Sequence, residues 1–186
     1  MDKIFAVANQ KGGVGKTTTS VNLAASLAAT RRRVLLVDLD AQGNATMGCG
    51  VDKYRLDSSV RDVLLEAVPA RAAIAAPDGL GFHVLPANAD MTEAEIKLRD
   101  MAAGDFALKL ALETVAADYD YILIDCPPAL SKLTVNAFVA ADGVLIPMQC
   151  EYYALEGLTA LVDTIKKIQR VINPRLEIDG LLRTMF

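Results

Sequence analysis

The sequence is short of cysteine and histidine, lacks any long apolar run, and has no basic surplus. Three cysteines in 186 residues, an odd number, exclude a small disulfide scaffold, and no Cys-x-x-Cys pair offers a metal clamp. No stretch of about 18 apolar residues is available for a membrane span. Ile4 to Ala8 is a short apolar run that gives way to Asn9-Gln10-Lys11, too brief for a secretory core. Unpaired thiols without such a signal fit a reducing cytoplasm. Lysine and arginine total 19 against 23 acidic residues, a net charge of −4, whereas a dedicated nucleic-acid domain usually carries a positive excess. The one dense basic run, Arg31-Arg32-Arg33, reads as a solvated helix end, where cations favour the C-terminal dipole, ahead of a binding patch. The sole histidine, His83, falls in a short strand and reads as structural.

Against these absences stands ample apolar surface. Hydrophobic residues make up 53% and charged residues 23%, which excludes disorder. The length suits one domain, residues 1–186. Apolar strands alternate with helically spaced segments along the chain. Strands are expected at 4–8, 34–37, 82–85, 121–125, 143–147 and 178–186. Helices are expected at 16–30, after Ser58-Ser59, from Pro69 to Ala75, and at 92–101, 105–117, 131–140 and 154–172. Residues 41–57, rich in glycine, read as turns. Such alternation predicts an α/β domain with a mostly parallel twisted sheet covered on both faces.

The segment Gln10-Lys11-Gly12-Gly13-Val14-Gly15-Lys16-Thr17-Thr18 joins the first strand to the first helix. That is the context of a phosphate-binding loop. Glycines let backbone N–H groups approach phosphate closely, and the helix start adds its positive dipole end. Lys16 is the candidate cation for the β/γ oxygens and the Thr17 hydroxyl a candidate Mg²⁺ ligand. The match to G-x-x-x-x-G-K-[ST] is incomplete: Gln10 stands where the first glycine belongs, and Lys11 and a double glycine follow. Asp125 closes the most apolar strand, where a carboxylate beside the loop lies next to the Mg²⁺ site. Asp38 and Asp40 follow the second strand and share a side if the strand persists that far. Asp38 is then either a carboxylate supporting the ion or a solvated strand end.

The loop Lys11-Gly12-Gly13-Val14-Gly15-Lys16-Thr17-Thr18 resembles the deviant Walker A motif of the ParA/MinD ATPase superfamily. The resemblance implies a three-layer α-β-α P-loop NTPase fold, ATP with Mg²⁺, and a face-to-face dimer. In that dimer Lys16 would act in cis and Lys11, the signature lysine, on the partner's nucleotide. Asp125-Cys126-Pro127-Pro128 resembles Walker B and switch II. Asp38-Leu39-Asp40-Ala41-Gln42 resembles switch I, in which Asp40 would orient the attacking water; Ala41 replaces the usual proline, which relaxes the loop slightly. The sites implied are thus catalytic Lys11, Lys16 and Asp40, a nucleotide loop from Lys11 to Thr18, and Mg²⁺ held by Thr17, Asp125 and Asp38.

The stretch Gln149 to Leu158, with Asp38 to Thr46 and Asp125 to Pro128, is similar to partition ATPases of the ParA/Soj type along almost the whole chain. That likeness implies nonspecific DNA binding by the ATP dimer, a ParB-type protein that stimulates hydrolysis, and a nucleoid-associated location without membrane anchoring. A positioning ATPase for another cargo and a nucleotide-binding regulator with little turnover are the alternatives. A nitrogenase-type cluster is disfavoured, because Cys126 and Cys150 crowd Walker B. The absence of an Asn-Lys-x-Asp guanine signature leaves ATP favoured over GTP by the resemblance. Relatives of this type run on past Phe186, where DNA contacts and most of the adenine pocket are expected, so a truncated chain is anticipated.

Overall fold

The structure, a computed structural model, describes residues 3–150 and 154–185. In chain order the elements are β1 (Lys3–Val7), α1 (Lys16–Ala29), β2 (Val34–Asp38), α2 (Asn44–Gly48), α3 (Val60–Leu64), α4 (Ala70–Ala73) and β3 (His83–Leu85). They continue with α5 (Met91–Asp100), α6 (Ala107–Glu113), a 3-10 turn at Ala116–Asp118, β4 (Tyr121–Asp125), α7 (Lys132–Ala140), β5 (Gly143–Gln149), α8 (Ala154–Val171) and β6 (Glu177–Thr184). The strands form one six-stranded sheet in the order β3-β2-β4-β1-β5-β6. Every ladder in it is parallel, as strands joined by crossover helices require.

Side-chain alternation sends β-residues to two separate cores. Leu35, Val37, Ile122, Ile124, Val144 and Ile146 pack under α3 to α8. Val34, Leu36, Val84 and Leu123 face the opposite way, onto α1 and α2. The result is a three-layer α-β-α sandwich. Strand β2 is buried throughout, and β4 and β1 are buried towards their C-terminal ends, with Tyr121, Ile4 and Phe5 half-buried; burial on both faces is why they read as apolar runs. The edge strand β6 differs: Ile178, Leu181 and Leu182 are exposed, and its pairing with β5 slips between Val144 and Leu145.

Three expectations change. Residues 41–57 are not only turns, because Gly43, in the left-handed region at φ 59°, starts the one-turn helix α2. A Cβ there would meet the Ala87 carbonyl oxygen at 2.7 Å, so glycine is required. The arginine run is an exposed helix end, but it lies just past the last turn: α1 stops at Ala29 with no basic residue in that turn, and the Arg31 and Arg32 N–H groups donate to the Ala28 and Leu27 carbonyls. Arg33 instead turns onto Asp120, its Nη2 2.8 Å from Oδ1, and its hydrogen bonds hold that carboxyl down at about 2. The expected helix at 105–117 breaks into α6 and the 3-10 turn. Glu151-Tyr152-Tyr153, part of the segment resembling partition ATPases, lies outside the described residues, as does Phe186.

Candidate nucleotide site

The C-terminal ends of β1, β2 and β4 meet in register, Val7 opposite Asp125 and Asp38 opposite Asp125. In an open parallel sheet the crevice beyond these ends is where ligands bind. The loop after β1 turns on two left-handed glycines, Gly13 at φ 76° and Gly15 at φ 86°. Gly12 and Gly13 are exposed, while Val14 and Lys16 are buried. The loop is fastened from within: the Lys11 N–H donates to Asn9 Oδ1 at 3.0 Å, and Asn9 Nδ2 donates to the Pro147 carbonyl at 2.7 Å.

Lys16, only 8% exposed, folds back so that its Nζ donates to the Lys11 carbonyl at 3.1 Å. Its ammonium is thus held inside the turn at the start of α1. Burial pushes its pKa down from the ordinary lysine value, opposed by the nearby Asp125 and Asp40 carboxylates.

Asp125, 1% exposed, is gripped by α1. Thr17 Oγ1 donates to its Oδ2 at 2.7 Å, and Ser20 Oγ to its Oδ1 at 2.9 Å. Burial, then the Asp38 charge, raise its pKa to about 7 against these two hydrogen bonds. Asp38 is fully buried, which overturns the solvated-end alternative. The strand stops at Asp38, so alternation does not carry on to Asp40. Both Asp38 oxygens are taken: Oδ1 accepts from the Asp40 N–H at 3.0 Å, and Oδ2 from Thr46 N–H and Oγ1, both at 2.8 Å. Burial raises its pKa too. Asp40 is half-buried at the crevice, with its Oδ1 accepting from the Gln42 N–H at 2.9 Å.

The structure thus gathers Lys16, Thr17, Asp125, Asp38 and Asp40 about the end of β1, with Lys11 half-buried on the loop. Three hydroxyls in this cluster carry no local sequence signal. Ser20 becomes visible only as the residue one turn beyond Thr17 on α1. Thr46 holds Asp38 and also accepts from the Ala87 N–H at 2.9 Å, bridging α2 to the loop after β3. Thr184, at the end of β6, donates to the Val14 carbonyl at 2.8 Å.

The thiols stand apart. Cys126 is buried and its pKa is pushed up by burial; Cys49 is buried with its pKa raised to about 11; Cys150 is exposed. His83 is tied to the Tyr119 hydroxyl, Nδ1 to O 2.8 Å. Among the described residues no group of three or more His, Cys, Asp or Glu could hold a metal alone, and no helix is long and apolar enough to cross a membrane.

Comparison with known proteins places this arrangement. A family described as "AAA domain" matches residues 2–178. The sporulation initiation inhibitor protein Soj of Bacillus subtilis is 51% identical over 185 residues, covering 100% of this chain and 73% of that protein. The chromosome partitioning protein ParA of Caulobacter vibrioides is 48% identical, covering 99% of this chain and 70% of its own length. Among solved structures, that of cobyrinic acid a,c-diamide synthase from Mycobacterium smegmatis with bound ADP and magnesium superimposes with a TM-score of 0.97 at 45% identity. That match covers 100% of this chain and 76% of that one.

Proposed function

The chain belongs to the AAA-domain family and to its ParA/Soj branch of partition ATPases, and from that premise we propose that it is a Mg²⁺-dependent ATPase working as a nucleotide-gated dimer. One observation carries the reading: a buried lysine, a threonine hydroxyl and two buried carboxylates converge where a glycine turn opens a helix. The loop from Lys11 to Thr18 offers backbone N–H groups and the α1 dipole to a triphosphate. Lys16 binds the β/γ oxygens in cis, and because it is already largely desolvated its charge is screened less than that of a surface lysine.

The residues also fit a magnesium ion. Thr17 and Asp125 are hard oxygen donors in contact with each other, and Asp38 adds negative charge beside them. Burial, and then the Asp38 charge, raise the proton affinity of Asp125, which a divalent cation relieves. With too few carboxylates for an all-protein cage, phosphate and water would complete the shell, as is usual for this ion. When bound, the ion neutralises phosphate charge. Thr17 and Asp125 would hold it, and Asp38, its oxygens occupied by Asp40 and Thr46, would add negative charge without ligating it.

Asp40, on the loop that Asp38 fastens, orients the attacking water. Lys11 reaches the nucleotide of a second subunit. ATP binding closes the dimer, which binds DNA through its phosphates without sequence preference; a ParB-type partner stimulates hydrolysis and resets it in the bacterial nucleoid. The test is a turnover assay with ATP, Mg²⁺, DNA and a ParB-type protein. Stimulated turnover supports the switch. Tight ATP binding with no stimulated turnover would convert the protein into a nucleotide-occupied regulator, and stimulation by a partner unrelated to DNA would make it a positioning ATPase for another cargo.

A further inference from the structure

The edge strand β6 reaches the phosphate loop at one residue. Thr184 lies 170 positions from Val14, yet its hydroxyl donates to the Val14 carbonyl at 2.8 Å. Its methyl approaches the neighbouring glycine: a Cβ built on Gly15 would sit 3.6 Å from Thr184 Cγ2. The hydroxyl therefore holds one side of the Val14–Gly15 peptide, with the methyl standing beside Gly15. No described peptide bond is cis. In a trans peptide the C=O and the following N–H point in opposite directions. With the Val14 carbonyl turned onto β6, the Gly15 N–H must face the other side of the loop, away from β6. Gly15, at φ 86°, is the residue least able to hold such an orientation unaided, because glycine has the widest choice of backbone states.

We propose that Thr184 is a positioning residue for the phosphate loop: its hydroxyl fixes the Val14–Gly15 peptide so that the Gly15 N–H faces the nucleotide, and so couples β6 to nucleotide occupancy. The proposal rests on the reading of this loop as a nucleotide site. It adds a residue remote in sequence from every nucleotide motif. The coupling has a mechanical basis. Thr184 stands in register with Gln149 on β5, while Ile178, Leu181 and Leu182 of the same strand are exposed. A weakly buried edge strand is the kind of element whose order responds to an added tether, and by linkage whatever orders β6 must strengthen nucleotide binding to the same degree.

Two substitutions separate hydroxyl from methyl. Thr184→Val keeps the methyl contact and removes the donor; Thr184→Ser does the reverse. Affinity for a Mg²⁺-bound, non-hydrolysable ATP analogue is measured by calorimetry, and amide exchange is followed over residues 177–184 with and without it. Thr184→Val should bind about five- to tenfold more weakly, the value of one hydrogen bond, and lose the analogue-induced protection of β6. Thr184→Ser should stay within about twofold of wild type and keep that protection. Unchanged affinity or retained protection in Thr184→Val, or equal losses in both variants, overturns the positioning role while leaving the nucleotide site intact. A wild-type protein that binds no analogue overturns both.

Discussion

Two carboxylates at the ends of adjacent strands, Asp38 and Asp125, lie opposite each other inside the protein, and their partners give them different work. Asp125 is held by hydroxyls from α1 that a cation can share or displace; Asp38 is saturated by the backbone of switch I and by Thr46. Asp125 makes the nucleotide-free protein pH-sensitive. Its folded pKa of about 7 lies above the ordinary 3.8, so the folded state holds the proton more tightly than the unfolded chain. Stability from this source is present below about pH 4 and is lost as pH rises through 7. Asp125→Asn should therefore stabilise the nucleotide-free protein at pH 8, by on the order of a few kcal/mol, and do little at pH 4. Urea unfolding at the two pH values reads this; an equal effect at both would show that the proton is not the cause. Thr46→Val removes one of the two donors to Asp38 Oδ2, the backbone N–H remaining, and the acceptor for the Ala87 N–H; it strands that one buried N–H and should cost about 1–3 kcal/mol in the same assay. Lys16→Ala should abolish ATP binding by calorimetry, and retained affinity would contradict the role given to Lys16.

At the scale of elements, α7 is the helix about which one layer is organised; a Lys132–Asp105 ion pair holds its start, and two buried asparagines fasten its middle and end. Asn173, past α8, donates to the carbonyls of Phe138, Val139 and Ala141 at the end of α7, at 2.9, 3.3 and 2.7 Å. Asn136 in mid-helix accepts from the Leu108 N–H at 3.0 Å and donates to the Gly104 carbonyl at 2.7 Å. A helix leaves its last carbonyls without internal partners, so Asn173→Ala should destabilise by about 1–3 kcal/mol, seen as a lower urea midpoint with an unchanged slope. Neither asparagine's fastening role was legible in the sequence, because the partners it reaches on other segments lie 28 to 35 residues away. What was legible was local. The strand ending at Asp125, the loop opening α1, and Ser131, whose hydroxyl accepts from the Leu133 N–H at the start of α7, all sit where periodicity and cap chemistry put them. The one-turn helix α2 escaped notice because glycines at 43, 48 and 50 mask a helix too short to show a period. The site divides the same way: its lysines, glycines and acids sit in contiguous motifs, while Ser20, Thr46 and Thr184 act through distances that only folding creates.

At the scale of the whole molecule, the sheet order decides what the site can be asked to do. β1 lies in the middle, flanked by β4 and β5, so the loop, Asp125 and the β5–β6 edge meet at one rim. That arrangement serves nucleotide chemistry of several kinds. The M. smegmatis structure carries the name of an amide-forming synthase, whereas the B. subtilis and C. vibrioides relatives are named for sporulation control and partition. A fold and a phosphate loop do not separate these, since function lives in what the site touches. Lys11 is the discriminating residue. Lys16 already occupies the inside of the turn, with its Nζ on the Lys11 carbonyl, so a second lysine on the same loop is redundant for a monomer's own phosphates. It gains a purpose if it serves the nucleotide of a facing subunit. Lys11→Ala should then leave monomer ATP affinity within about threefold, because one half-buried, solvent-accessible charge contact contributes little there. It should remove most stimulated turnover, as loss of an arginine-finger-like charge does, by about 10³-fold. Light scattering with ATP should show the wild type shifting towards a dimer and Lys11→Ala shifting less. Parallel losses in affinity and turnover, with dimerisation intact, would return Lys11 to its own subunit's phosphates.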